Sequence, residues 1–169
     1  PALNARVEIV DVYGAPIDTI EAGTAFTANV YVRDVREAAQ GVSAAYFDLL
    51  YNSALAGIEA DIIYGTGFTG AQSGDTFSVA GLVDEVGATF VGSPDANEQL
   101  LFQVPMIANQ AGILDFTLEA ADVSPAHDCF LFGEADALAL ARIHFQGASL
   151  EISAAQADEA LAETEDWLS

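Results

Sequence analysis

Residues 41–52 show the clearest alternating pattern in the chain, an uninterrupted run of strand-forming residues that is apolar on both faces. One face carries Ala45, Phe47, Leu49 and Tyr51, and the other carries Val42, Ala44, Tyr46, Asp48 and Leu50. This pattern predicts a central strand, with the core on one side and partial cover on the other. Asp48 is the single carboxylate of the run, and either solvent or a polar partner would satisfy it.

Similar extended patterns recur along the rest of the chain. In residues 113–120, for example, Leu114, Phe116 and Leu118 alternate with Asp115, Thr117 and Glu119. The other extended runs are residues 6–13, 24–33, 58–64, 76–80, 81–90, 100–107, 129–132 and 142–152. About nine strands with turn residues between them and little helical pattern predict an all-β fold, a two-sheet antiparallel β-sandwich of the jelly-roll or immunoglobulin-like kind.

The pattern changes in kind after residue 152. We assign residues 1–152 to one sandwich domain, since a chain of 169 residues fits a single core. Residues 153–169 form an acidic, alanine-rich tail in which Ser153 and Gln156 have the spacing of a helix capping box. Both a short docked helix and a solvated linker agree with this composition.

The charge balance limits the partners of the protein. Against 26 acidic residues stand four arginines and no lysine, for a net charge of −22. Such a surface repels phosphate, which excludes nucleic acid as a partner. It favours high salt, divalent cations or a basic protein partner, although a simple solvated acidic shell has the same composition.

Groups for catalysis are scarce. The two histidines are His127 and His144, and the single cysteine, Cys129, lies in an apolar run that is typical of a core. No nucleophile has a recognisable base beside it, and the absence of lysine removes Schiff-base chemistry. We therefore expect a protein that is not an enzyme.

Calcium is the cation best matched to the acidic loops, because it takes roughly six to eight oxygen ligands from carboxylates, amides and carbonyls. The loops with suitable groups are residues 34–37, 93–98 and 122–128. If calcium binds, the candidate ligands are Asp34, Asp95, Asn97 and Asp122. The spacing of an EF-hand is absent.

The chain begins at Pro1 and contains neither an apolar leader nor a membrane-spanning stretch of about 20 apolar residues. A processed product or a piece of a longer protein would begin in this way. The composition is rich in alanine and glycine and contains no lysine. We therefore expect an extracellular or cell-surface protein.

The run 41–52 also resembles the third strand of cohesin domains, in which a glycine and small residues precede an aromatic and apolar alternation. Gly41, Phe47, Leu49, Tyr51 and Asn52 match this pattern. Residues 100–123 and 142–152 are similar to later cohesin strands, so the resemblance covers about residues 5–152. It extends to the cohesin-like modules of large secreted bacterial surface proteins.

This resemblance implies a β-sandwich that binds dockerin-bearing proteins in extracellular assemblies. The interface residues it implies by position on the outward face of this strand are Tyr46, Asp48 and Leu50.

The leading hypothesis is thus a non-catalytic extracellular module for protein–protein association, with a dockerin-like protein or copies of itself as partner. A surface or filament subunit joined by exchange of a strand or of the tail, assisted by calcium, is one alternative. A carbohydrate-binding module, which would need an exposed row of aromatic side chains, is another.

Overall fold

The computed structural model describes residues 1–156, which form thirteen strands and one short 3-10 helix, Leu140–Arg142. The strands are β1 Leu3–Val10, β2 Thr19–Glu21, β3 Ala25–Asp34, β4 Val42–Leu50, β5 Ala56–Ile58, β6 Ile63–Tyr64, β7 Gly70–Asp75, β8 Leu82–Thr89, β9 Gln99–Ala108, β10 Gly112–Ala120, β11 Phe130–Leu131, β12 Ile143–Gln146 and β13 Ala148–Ser153. Several strands have only two or three residues, which explains why the sequence pattern indicates fewer of them.

The strands form two sheets. The first has the order β12-β1-β3-β9-β5, with β6 also paired to β9, and the second has the order β2-β13-β10-β4-β8-β7, with β11 also paired to β4. Most neighbours are antiparallel, while β1 pairs with β12 and β13 with β2 in parallel. The predicted two-sheet β-sandwich is confirmed, and β4 lies inside its sheet with β10 on one side and β8 on the other.

The core lies between the two sheets and follows the alternation of the strands. On β4, Ala45, Phe47 and Leu49 are fully buried in it, as the sequence pattern predicts. On β10, Leu114, Phe116 and Leu118 point inward while Asp115, Thr117 and Glu119 are exposed. Because side chains alternate along a strand, this polar set lies on the outside of the second sheet.

Gly147 separates β12 from β13 and marks the point where the chain passes from the first sheet to the second. A side chain there would collide with the carbonyl oxygen of Phe116, so only glycine fits this close approach. The shift of apolar phase at Gly147, which predicts a bulge from sequence, accompanies this change of sheet.

Ser153 is the last residue of β13 rather than a helix cap. The two alternatives for the acidic tail, docked helix or linker, concern residues 157–169, which lie outside the described residues. In residues 1–156 no helix has the length and hydrophobicity needed to span a membrane.

Candidate functional site

The outward face of β4 is buried although it points away from the core. Tyr46 is 1% exposed and Asp48 is 5% exposed, yet neither belongs to the main hydrophobic cluster between the sheets. Leu50, the third predicted interface residue, is half-buried. Two of the three residues expected at an interface, Tyr46 and Asp48, are therefore covered by a second layer of chain.

That layer is the connection between β10 and the 3-10 helix, residues 121–139, which we call the covering segment. Its His127 ring stacks on the Tyr46 ring with centroids 4.7 Å apart. The thiol of Cys129 points to the carbonyl oxygen of Tyr46 at 3.9 Å, and β11 of this segment pairs with the first half of β4. On its other side the Tyr46 hydroxyl donates to the carbonyl oxygen of Ala71 at 2.7 Å. Tyr46 is thus enclosed between the covering segment and β7.

Glu85 holds the covering segment in place. Its Oε2 accepts a hydrogen bond from the main-chain N–H of Asp122 at 2.7 Å, and its Oε1 accepts one from the N–H of Val123 at 2.7 Å. The same Oε1 lies 3.0 Å from Nδ1 of His127. One carboxylate on β8 therefore fixes three groups at the start of the segment.

A β-bulge brings Glu85 to this position. Phe47 pairs with Val86 and Leu49 with Val83, so Asp84 and Glu85 together stand opposite the single residue Asp48. Glu85 has a φ of +51°, a left-handed conformation that is unfavourable for a side chain of this kind. Its main-chain N–H donates to Oδ1 of Asp48 at 2.8 Å. The polar partner of Asp48 that the sequence leaves open is therefore the bulge of β8.

The two neighbouring carboxyl groups have opposite pKa shifts. Burial, together with the nearby carboxylate of Glu85, raises the pKa of Asp48 to about 7, although the N–H of Glu85 acts in the other direction. Burial would also raise the pKa of Glu85. The hydrogen bonds from His127 and from the amides of Asp122 and Val123 outweigh burial there and lower its pKa. Near neutral pH Asp48 gains and loses its proton while Glu85 stays charged.

The four candidate calcium ligands are distributed over three segments of the chain. The buried carboxylate of Asp34 forms an ion pair with Arg36 at 2.7 Å, and the main-chain amides of Arg36, Gln40 and Gly41 also donate to it. Burial raises the pKa of Asp34, but this set of donors outweighs it and lowers the pKa overall. The acceptor positions of Asp34 are thus filled by the protein itself.

The other three candidates lie on two further loops. Asp95 Oδ1 accepts a hydrogen bond from the N–H of Asn97 at 2.8 Å, in an exposed turn. Asp122 lies on the covering segment, where its carboxylate is within 4.8 Å of those of Asp48 and Glu85. Asp122 is the one calcium candidate in that acidic group among residues 1–156.

Part of the outward sheet face stays open to solvent. Leu50 on β4 lies directly opposite Thr117 on β10, and next to them Ile113, Asp115 and Glu119 point outward. Ile113 is 59% exposed. We call these five side chains the open face.

Sequence reasoning did not identify Glu85 and His127 as parts of this site. Their roles depend on a β-bulge and on a loop that crosses the sheet, and alternation alone signals neither. The available signals were the carboxylate of Asp48 in an otherwise apolar strand and the two adjacent carboxylates, Asp84 and Glu85, in another.

Known structures with the same fold are cohesin modules. The chain aligns with a type II cohesin domain from the cellulosome of Acetivibrio cellulolyticus at a TM-score of 0.64 and 12% identity, over 89% of this chain and 95% of that one. A type I cohesin of Clostridium thermocellum, solved in a cohesin–dockerin complex, aligns at 0.62 and 12% identity over 89% and 99%. The non-cellulosomal cohesin of the archaeon Archaeoglobus fulgidus aligns at 0.62 and 12% identity over 96% and 98%.

No family model and no curated protein matches the sequence. The structural similarity, which spans nearly the whole of each cohesin module, shows that the chain has a cohesin-like fold.

Proposed function

We propose that the chain is a non-catalytic module that binds a dockerin-like protein outside the cell. The observation that carries this proposal is the cohesin-like fold, because several of the similar structures are cohesins solved together with dockerins. A protein-binding role fits a fold built as a rigid sandwich with one sheet face partly open to solvent.

The state of the potentially reactive groups agrees with a binding role. Burial raises the pKa of the Cys129 thiol to about 11, which keeps it protonated and unreactive at neutral pH. His127 is held between Glu85 and Tyr46. Both groups serve packing and hydrogen bonding.

The proposed binding surface is the open face, Leu50, Ile113, Asp115, Thr117 and Glu119. The covering segment occupies the outward face at Tyr46 and Asp48, so a partner that approaches the folded module meets the open face first. Two carboxylates beside two apolar side chains suit a partner surface with apolar and basic residues.

The aromatic row expected of a carbohydrate-binding module is not formed by the tyrosines. Tyr13 is 92% exposed, whereas Tyr31, Tyr46, Tyr51 and Tyr64 are half-buried or buried. The structure therefore favours a protein partner over a sugar.

Binding to a panel of purified dockerin modules tests the proposal. We expect at least one dockerin to bind the immobilised chain and Thr117→Arg to weaken that binding about tenfold or more, since a long cation would stand in the centre of the open face. Thr27→Arg is the matched control, because Thr27 faces outward on β3 in the other sheet. Lack of binding to every dockerin, or equal binding by the two variants, would contradict the proposal.

A further inference from the structure

A groove of about 500 Å³ opens between the β5 region and the turn that joins β7 to β8. Its lining includes the apolar side chains of Tyr51, Ala56, Ile58 and Phe77. It has the size of a typical ligand-binding cleft and shares no residue with the open face.

The turn beside the groove presents two large apolar side chains to solvent. Phe77 is 85% exposed and Val79 is 53% exposed. An apolar pair at the edge of an apolar groove is a feature of interaction sites, because isolated soluble domains keep such continuous surfaces small.

The same turn is held in one conformation. Oδ1 of Asp75 accepts hydrogen bonds from the main-chain N–H groups of Phe77 at 2.8 Å and Ser78 at 3.0 Å. At the other end the N–H of Tyr51 donates to the carbonyl oxygen of Gly81 at 2.9 Å. Gly81 has a φ of +79°, and a Cβ there would lie 2.5 Å from the Tyr51 carbonyl oxygen. Phe77 is therefore presented on a fixed turn, which lowers the entropy lost on binding.

The groove is acidic at its rim. Glu59 and Asp61 line it and are exposed, and none of the four arginines does. Within residues 1–156 the arginine ion pairs involve Glu8, Asp34, Glu98 and Glu134, and leave Glu59 and Asp61 without a cationic partner. A second copy of this chain, with its net charge of −22, would be repelled from this rim.

We propose that this groove binds a segment of a partner protein in which an apolar side chain is flanked by lysine or arginine. The apolar side chain packs between Phe77 and Ile58, while the cations pair with Glu59 and Asp61. This second binding surface stands independently of dockerin recognition by the open face.

Two synthetic peptides test the groove. The probe has a central Leu-Phe pair with two lysines on each side, and its control has glutamates in place of the lysines. Titrated into the full isotope-labelled chain, the lysine peptide is expected to shift the amide NMR signals of residues 57–61 and 76–80, and the glutamate peptide is expected to shift none.

Paired variants make the result specific. We expect Phe77→Ala to weaken binding of the lysine peptide about tenfold. The double variant with Glu59→Gln and Asp61→Asn is expected to weaken binding of the same peptide and to make that binding less dependent on salt concentration. Tyr13→Ala, which also removes a highly exposed aromatic ring, is expected to leave binding unchanged. Thermal unfolding of each variant checks that the fold is intact.

Absence of shifts with the lysine peptide, shifts spread over the whole acidic surface, or equal loss of binding in Phe77→Ala and Tyr13→Ala would overturn the proposal. These outcomes are separate from the dockerin test, which reads out the open face.

Discussion

Asp48 is the residue at which burial and charge conflict most directly. Its buried carboxyl group is surrounded by acidic neighbours from every element packed against it: Asp84 and Glu85 on β8, Glu119 opposite it on β10, and Asp122 on the covering segment. An ionised Asp48 would add a charge to this group, so the folded protein favours the protonated form up to a pH of about 7. The fold therefore retains a neutral carboxylic acid where a typical aspartate would be charged.

This raised pKa predicts that stability falls as the pH rises. In the unfolded chain Asp48 ionises near a pH of about 4. Its stabilising contribution is complete below that pH and is lost as the pH passes through the folded-state pKa of about 7. We expect the free energy of unfolding, measured by urea titration, to fall by on the order of 2 kcal/mol between pH 5 and 8 from this group.

Asp48→Asn isolates the effect, because asparagine keeps the shape and carries no charge. The variant is expected to show a flatter pH dependence than the wild type, whereas Asp61→Asn at an exposed position is expected to follow the wild type. Glu85 has a lowered pKa, so its own contribution is lost only in more acidic solution, outside this range. Equal slopes in wild type and Asp48→Asn would show that Asp48 is not the responsible group.

The covering segment is the element that buries part of the outward face of the second sheet. It spans residues 121–139, pairs through β11 with β4, and is fixed at its start by Glu85. At its other end Arg36 and Arg142 both reach Glu134, at 3.3 and 3.6 Å. A loop tied at both ends in this way behaves as part of the sandwich.

We predict that Glu85→Gln loosens the start of the covering segment. A neutral amide accepts weaker hydrogen bonds than a carboxylate, both from the two main-chain N–H groups and from the His127 ring. Hydrogen exchange at the amides of Asp122 and Val123 should become faster by about tenfold, and stability should fall by about 1–2 kcal/mol. Glu59→Gln, at an exposed position outside the segment, is the control and should leave both amides protected. Unchanged protection in Glu85→Gln would mean that other contacts hold the segment.

At the scale of the whole molecule, an uncharged core is surrounded by an acidic surface. Four arginines cannot balance 26 acidic residues, and three of them are used in local pairs: Arg6 with Glu8 and Glu98, Arg36 with Asp34, and Arg142 with Glu134. The remaining carboxylates repel one another, and this repulsion acts against the compact state.

Screening by salt should therefore stabilise the folded protein. We expect the melting temperature to rise by several degrees when sodium chloride is increased from about 10 to 300 mM, because the Debye length shortens from about 30 Å to below 8 Å. Differential scanning calorimetry at pH 7 measures this shift. A melting temperature that stays constant or falls with salt would show that the surface repulsion is too weak to matter. Calcium chloride at matched ionic strength would reveal any additional binding of that ion.

Local alternation was sufficient to determine the sandwich and the inward positions of its strands. Ala45, Phe47 and Leu49 on β4, and Leu114, Phe116 and Leu118 on β10, are buried as the pattern predicts, since successive side chains of a strand point to opposite faces. The resemblance of residues 41–52 to a cohesin strand was likewise present in the sequence and agrees with the fold.

What lies over the outward face of β4 was decided by the tertiary structure alone. His127 is 81 positions from Tyr46 along the chain, and Glu85 is 37 positions from both Asp48 and Asp122. The alternation of a strand determines which face a side chain occupies. It does not determine which distant loop covers that face. From the sequence, Asp48 is an isolated carboxylate on the second face of its strand. Only the tertiary structure shows that it is buried beside Glu85 and that its pKa is raised.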